Sequence, residues 1–219
     1  MNKVVAVVLN YNTAKDSKKC LEYLLKQDYA DFEIVVVDNN SPMNDYQKLK
    51  SDIDTLQSNR IELIRNEINS GFSAGNNIGL RRAKEKDAEW SLVINPDVEL
   101  RDKSYITKMI SAISETHKVA VAASNVILPN GQRQNPMIEP KYWEELLWPI
   151  ESVTRKIRKN NSYLGADQTG YCEKVSGCCF FIRMSFAEKM GYLDESVFLY
   201  CEEPILASRV KKYGYKELY

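Results

Sequence analysis

Apolar runs and helical stripes alternate along the first half of the chain. Val4 to Leu9 is a continuous valine-rich run, the pattern of a parallel strand covered on both faces. Asp16 to Lys26 then sets Cys20, Leu21, Leu24 and Leu25 at helical spacing. A second strand, Glu33 to Val37, leads to a helix over Asn44 to Gln57 with Tyr46, Leu49, Ile53 and Leu56 on one face. Ile61 to Ile64 predicts a third strand, followed by a glycine-rich segment and a helix carrying Ile78, Leu80 and Ala83. Ser91 to Ile94 is the fourth, and Lys103 to Glu115 a helix with Ile106, Met109, Ile110 and Ile113 apolar. This βαβα alternation predicts an α/β fold: a doubly wound, mostly parallel sheet flanked by helices.

The rhythm changes after residue 118. Val119 to Ser124 reads as a strand, and Pro129-Asn130-Gly131-Gln132 is a turn able to close a hairpin. Pro136, Pro140 and Pro149 interrupt the pattern between residues 135 and 170. Val175 to Ile182 returns as a strand, and a last helix runs from Pro204 to Gly214. A small antiparallel element is therefore expected in the C-terminal half of one domain spanning 1–219. The final residues up to Tyr219 read as the start of a further strand, so the chain is expected to be a fragment of a longer protein.

Composition narrows the class. Lys and Arg total 30 and so do Asp and Glu, a balance that speaks against a nucleic-acid partner. Cys20, Cys172, Cys178, Cys179 and Cys201 are odd in number and contain no C-x-x-C pair, so they read as reduced thiols. The N-terminal apolar run is too short to cross a bilayer and has no cleavage site of small residues, which makes a cytoplasmic location the expectation.

Chemistry gathers where strands end, the place where open α/β sheets bind ligands. The fourth strand runs out at Asn95-Pro96-Asp97 and the second at Asp38-Asn39-Asn40. Asp97 is a candidate ligand for Mg2+ or Mn2+, hard cations held by one or two carboxylates plus substrate phosphates. Asp38 is a candidate acceptor for a base or ribose hydroxyl, with Asn10-Tyr11-Asn12 beside it. Either aspartate alone could equally cap the helix that follows. The segment Asn69 to Gly79, with Gly71, Gly75, Asn76, Asn77 and Gly79, is expected to let backbone N–H groups approach a ligand. It is not G-x-G-x-x-G and does not follow the first strand. Gly177 offers a further close approach. Glu203 is a candidate general base, and the adjacent Glu202 the competing one. Pro204 should bias Glu203 out of the helical region. The competing reading is an acidic first helical turn. His117 is expected at a helix end as a surface or capping residue.

The ordered motifs VVDNNS, NSGFSAGNNIG, INPDVEL, VSGCCFFIR and GYLDESVFLYCEEPILASR closely resemble glycosyltransferase family 2, with the GT-A fold. They look most like bacterial rhamnosyltransferase-type members that build cell-surface polysaccharides. The likeness runs from about residue 3 to the C-terminus and is poor over 135–170. It implies inverting transfer of a sugar from a nucleotide diphosphate, here a UDP- or dTDP-sugar, to a hydroxyl of a saccharide or lipid-linked saccharide. It assigns Asp38 to the nucleotide base and Asp97 to the last acidic position of the metal-binding D-x-D motif, where Asn95 replaces a usual Asp. It assigns Glu203 to the base, in place of a shorter Asp. Residues 1–118 then form a nucleotide-binding half and 119–219 an acceptor-side half.

Other readings remain open on the residues alone. One is a sugar-1-phosphate nucleotidyltransferase, although Asn10-Tyr11-Asn12 stands where that class needs a glycine-rich, basic loop. Another is a non-catalytic sugar-nucleotide-binding subunit or an inactive truncated homologue. Trp143, Leu146, Leu147 and Trp148 precede Arg155, Lys156, Arg158 and Lys159, a pattern suited either to a packed lid or to peripheral contact with an anionic membrane.

Overall fold

A computed structural model describes residues 2–137 and 168–219. Its strands are β1 (Val4–Asn10), β2 (Phe32–Asp38), β3 (Ile61–Arg65), β4 (Trp90–Ile94), β5 (Val119–Ala122), β6 (Tyr171–Cys172), β7 (Cys179–Arg183) and β8 (Lys216–Leu218). The helices among the described residues are α1 (Ala14–Leu24), α2 (Met43–Leu56), α3 (Phe72–Glu85), α4 (Tyr105–Ser114), α5 (Met184–Lys189) and α6 (Glu202–Lys212). The strands make one sheet in the order β3-β2-β1-β4-β7-β5-β8-β6. β1 pairs in parallel with β2 and β4, and β2 with β3. β7 runs antiparallel between β4 and β5, and β6 runs antiparallel to β8. This is the mixed α/β sheet expected, with the antiparallel strands in the C-terminal half.

Alternation along the central strands divides the core in two. Val4, Ala6 and Val8 pack with Leu21, Leu24, Leu49, Ile106 and Ile110, so α1, α2 and α4 cover one face. Val5 and Val7 pack with Leu80, Ala83, Phe186, Leu206 and Val210, so α3, α5 and α6 cover the other. Burial on both faces is why the strands read as unbroken apolar runs. Each valine, leucine, isoleucine or phenylalanine among them contributes roughly 1.5–3 kcal/mol on burial.

Several expectations shift. β7 begins at Cys179 rather than Val175, because side chains take the preceding amides. Val175 N donates to Glu217 (2.9 Å), Ser176 N to Asn135 (2.7 Å) and Gly177 N to Glu203 (3.2 Å). α6 begins at Glu202, so Pro204 does not keep Glu203 out of the helix. In the first turn the missing N–H of proline is not needed. Gly131 (φ 79°) makes the expected turn, with Leu128 N donating to Gln132 O (2.8 Å), but the arms form only a bridge between Ile127 and Arg133. His117 lies beyond α4, exposed, its carbonyl accepting from the Tyr171 hydroxyl (2.9 Å). β8 is present where a further strand was expected, whereas β6 and α5 left no clear periodicity. No helix among the described residues is long and apolar enough to cross a membrane. The aromatic-basic segment 142–159 lies outside the described residues.

Candidate active site

The carboxyl ends of β2, β1 and β4 lie side by side, with Asn10 in register with Asp38 and Val8 with Ile94. This is the crevice where connections leave for opposite faces of the sheet. Asn10 and Asp38 are fully buried. Asn10 Nδ2 donates to Asp38 Oδ1 (2.9 Å), Ser41 Oγ (3.0 Å) and Asp45 Oδ2 (3.2 Å), while its Oδ1 accepts from Thr13 (3.1 Å) and Ser17 (2.8 Å). Asn10 is thus a hub joining β1, β2, α1 and α2, with its hydrogen-bonding capacity spent on protein. Asp38 Oδ2 accepts from Ser41 N (3.2 Å) and faces the Arg65 guanidinium at 3.9 Å. Asp38 therefore shapes the crevice first, keeping only its remaining lone pairs for a ligand. Tyr11 is half-exposed, and Asn12 and Asn40 are exposed with left-handed backbones (φ 55° and 63°). These three form the open lip of the crevice.

Asp97 differs from Asp38 in every respect. It is exposed, and its carboxylate has no hydrogen-bond or ion-pair partner among the described residues. It sits in a turn closed by Val98 N to Asn95 O (3.1 Å). An unpaired carboxylate on a rigid turn fits a divalent cation completed by phosphate oxygens. Among the described residues no group of three acidic, His or Cys side chains could hold a metal unaided.

Two bonds link this tip to the candidate base. Asn95 N donates to Cys178 O (2.8 Å), and the neighbouring Gly177 N donates to Glu203 Oε1 (3.2 Å). A Cβ on Gly177 would meet the Glu203 carboxylate at 3.3 Å, so glycine lets that side chain lie against the backbone. The Cys178 thiol registers both charges: burial foremost, then Asp97 and Glu203, pushes it up. The Asn95–Asp97 turn and Glu203, far apart in sequence, are thus fastened to adjacent residues, Cys178 and Gly177. Glu202 points elsewhere, its Oε1 buried without a partner beside a small space lined by Ser73, Leu193 and Leu206.

The glycine segment serves a different end from the one expected. A Cβ on Gly79 would fall 2.3 Å from Val7 Cγ1, and one on Gly75 2.6 Å from Leu9 Cδ1. These glycines seat α3 on β1 rather than opening it to a ligand. Gly71 (φ 97°) faces the Phe198 carbonyl, where a Cβ would come within 2.3 Å of the oxygen, and Phe72 N donates to that same oxygen (2.9 Å). Asn77 is buried and clamps the 193–195 loop, donating to Leu193 O (2.9 Å) and Glu195 Oε1 (2.7 Å) and accepting from Leu193 N (2.9 Å). Asn76 is also buried; its Nδ2 donates to Phe72 O (3.0 Å) and its Oδ1 has no partner. Gly71 and Asn77 thus join α3 to the 193–198 segment, whereas Asn76 bonds only within α3.

Asn39 and Asn69, which the sequence offered only as parts of their motifs, and Asn66 and Arg65, which it did not single out, complete the crevice. Asn39 Nδ2 donates to Asn69 Oδ1 (2.8 Å), Asn66 Nδ2 donates to Asn39 Oδ1 (3.0 Å), and Gly71 N donates to Asn69 Oδ1 (3.0 Å). Arg65, register partner of Asp38, lies over the Tyr46 ring at 4.1 Å. The signal available for these residues was the density of asparagines at strand ends.

The Glycosyl transferase family 2 profile matches residues 5–191. The chain is 27% identical over 207 residues to the low-salt glycan biosynthesis hexosyltransferase Agl10 of Haloferax volcanii, covering 94% of this chain and 61% of that relative. It is 27% identical over 139 residues to the N-acetylglucosaminyl-diphospho-decaprenol L-rhamnosyltransferase of Mycobacterium tuberculosis, covering 60% of this chain and 44% of the relative. The fold matches the mannosyltransferase PcManGT of Pyrobaculum calidifontis, solved in complex with GDP-Man and Mn2+. The TM-score is 0.69 at 18% identity, over 99% of this chain and 54% of that one. The chain therefore spans less than two thirds of each of these proteins. A mostly parallel sheet with acidic tips at its switch point, and a profile match over most of the length, agree: the chain belongs to glycosyl transferase family 2.

Proposed function

We propose that the protein transfers a sugar from a nucleotide-diphosphate sugar to an acceptor hydroxyl, with inversion, in the synthesis of a glycan. The observation that carries this reading is the joint placement of an unpaired carboxylate, Asp97, and a held carboxylate, Glu203, through the Asn95–Cys178 and Gly177–Glu203 bonds. The relatives named for hexosyl and rhamnosyl transfer support it.

Residues 1–118 bind the donor and 119–219 the acceptor. The base rests in the crevice beside Asp38 and the Tyr11–Asn12 lip. Asp97, with the donor's phosphates, would hold Mg2+ or Mn2+, which would neutralise charge on the departing diphosphate. Glu203 takes the proton of the acceptor hydroxyl as that oxygen bonds to the anomeric carbon. The bond from carbon to diphosphate oxygen breaks on the opposite side, and the nucleoside diphosphate leaves with the bonding pair. Glu203 is the base in this reading because it lies at Gly177, next to the Cys178 that holds the Asn95–Asp97 turn, whereas the Glu202 oxygen is enclosed. The lipid carrier in one relative's name supports a lipid-linked saccharide as acceptor, attacked at a sugar remote from the carrier, and peripheral membrane contact through 142–159 would go with it.

Calorimetric titration of UDP-, dTDP- and GDP-sugars, with and without Mn2+, tests the proposal. Metal-dependent binding of one nucleotide class is expected. Failure of every donor to bind the chain would overturn it.

A further inference from the structure

We infer that Phe198 and Tyr200 form a stacking platform for a neutral sugar unit of the acceptor, next to the unit whose hydroxyl is attacked. This inference rests on the transferase reading above. Phe198, Leu199 and Tyr200 are 61%, 51% and 75% exposed. A single exposed apolar residue is ordinary, but three in succession mark a contact surface.

The segment is not loose. The Phe198 carbonyl is locked against Gly71 and accepts from Phe72 N (2.9 Å). Glu195 is held by Asn77 (2.7 Å) and Arg81 (3.1 Å). Asp194 caps Ser196 N (2.9 Å) and pairs with Arg209. Tyr200 and Cys201 are consecutive non-glycine residues in the left-handed region (φ 72° and 67°), a conformation that the surrounding contacts must enforce. Bare aromatic rings on a braced, strained turn bind at little ordering cost.

Position and charge select the occupant. Tyr200 lies three residues before Glu203, so their Cα atoms are at most about 11 Å apart. A hydroxyl within reach of Glu203 brings the next part of its own molecule towards this turn. The turn is acidic, with Asp194, Glu195, Glu202 and Glu203, and the guanidinium groups of Arg81 and Arg209 are already engaged by Glu195 and Asp194. That charge disfavours a phosphate or diphosphate and leaves a neutral pyranose, whose C–H face suits the electron-rich face of an aromatic ring.

The test is saturation-transfer NMR on the full chain with mono-, di- and trisaccharides of glucose, N-acetylglucosamine and rhamnose, alongside donor calorimetry. Saturation of ring-face protons is expected for at least one di- or trisaccharide. Tyr200→Ala should weaken that saccharide about tenfold, Phe198→Ala should weaken it similarly, and Tyr200→Phe should retain it. Donor affinity should be unchanged in all three variants. No saccharide binding, or equal binding by native and alanine variants while the donor still binds, would overturn the platform alone. Absence of donor binding in the native chain would overturn the transferase reading and the platform with it.

Discussion

The two carboxylates of the proposed site, Asp97 and Glu203, come from regions built in opposite ways. The half ending near residue 118 contains long parallel strands with both faces covered, and its crevice is lined by buried, mutually bonded side chains such as Asn10, Asp38 and Asn39. The half after it has short strands and an exposed apolar turn, and is held by side-chain-to-backbone bonds such as Asn77 to Leu193 and Glu217 to Val175. Local patterning builds the first; long-range polar contacts build the second. The lesson is that a strand-end crevice comes almost free with a doubly wound sheet, whereas the candidate base must be carried to it by specific stitches.

Breaking one half's chemistry while sparing the other tests this contrast. The largest effect is expected from Glu203→Gln, which should slow transfer by about 10³-fold, within the range for loss of a general base, without changing donor affinity. Steady-state rates with calorimetry on the same variant check it; equal rates would shift the base to Glu202. Asp97→Ala should do the reverse, abolishing the Mn2+-dependent part of donor binding and leaving the fold intact. Unchanged affinity with Mn2+ would remove Asp97 from the metal site.

Stability experiments sharpen the comparison further. Gly79→Ala drives a methyl into Val7 and should cost about 1–3 kcal/mol by overpacking, read from urea midpoints. The smallest effect concerns the second half alone. Burial first of all pushes the Cys172 and Cys179 thiols up to about 12 from an ordinary 9.0. The unfolded chain ionises both thiols above about 9, so their stabilising contribution is complete below that pH and declines as pH rises towards 12. Denaturant midpoints across this window should fall, and Cys179→Ala should flatten the decline.

Much of this was legible before any coordinates. Strand and helix in the first half followed from apolar runs and helical stripes, because burial on two faces or on one stripe leaves a period in the residues themselves. The acidic tips at Asp38 and Asp97 were likewise visible, since a strand that runs out into polar residues announces where its end lies. The tertiary structure alone distinguished their states: one fully buried and bonded, the other exposed and without a partner among the described residues. It also turned Gly75 and Gly79 from ligand approaches into seats for α3 on β1, and Asn77 into a clamp on the loop ahead of Glu203. Periodicity records which face of an element is buried. It carries no record of which distant backbone a lone polar side chain or a missing Cβ will meet, because that is decided only when elements far apart in the chain pack together.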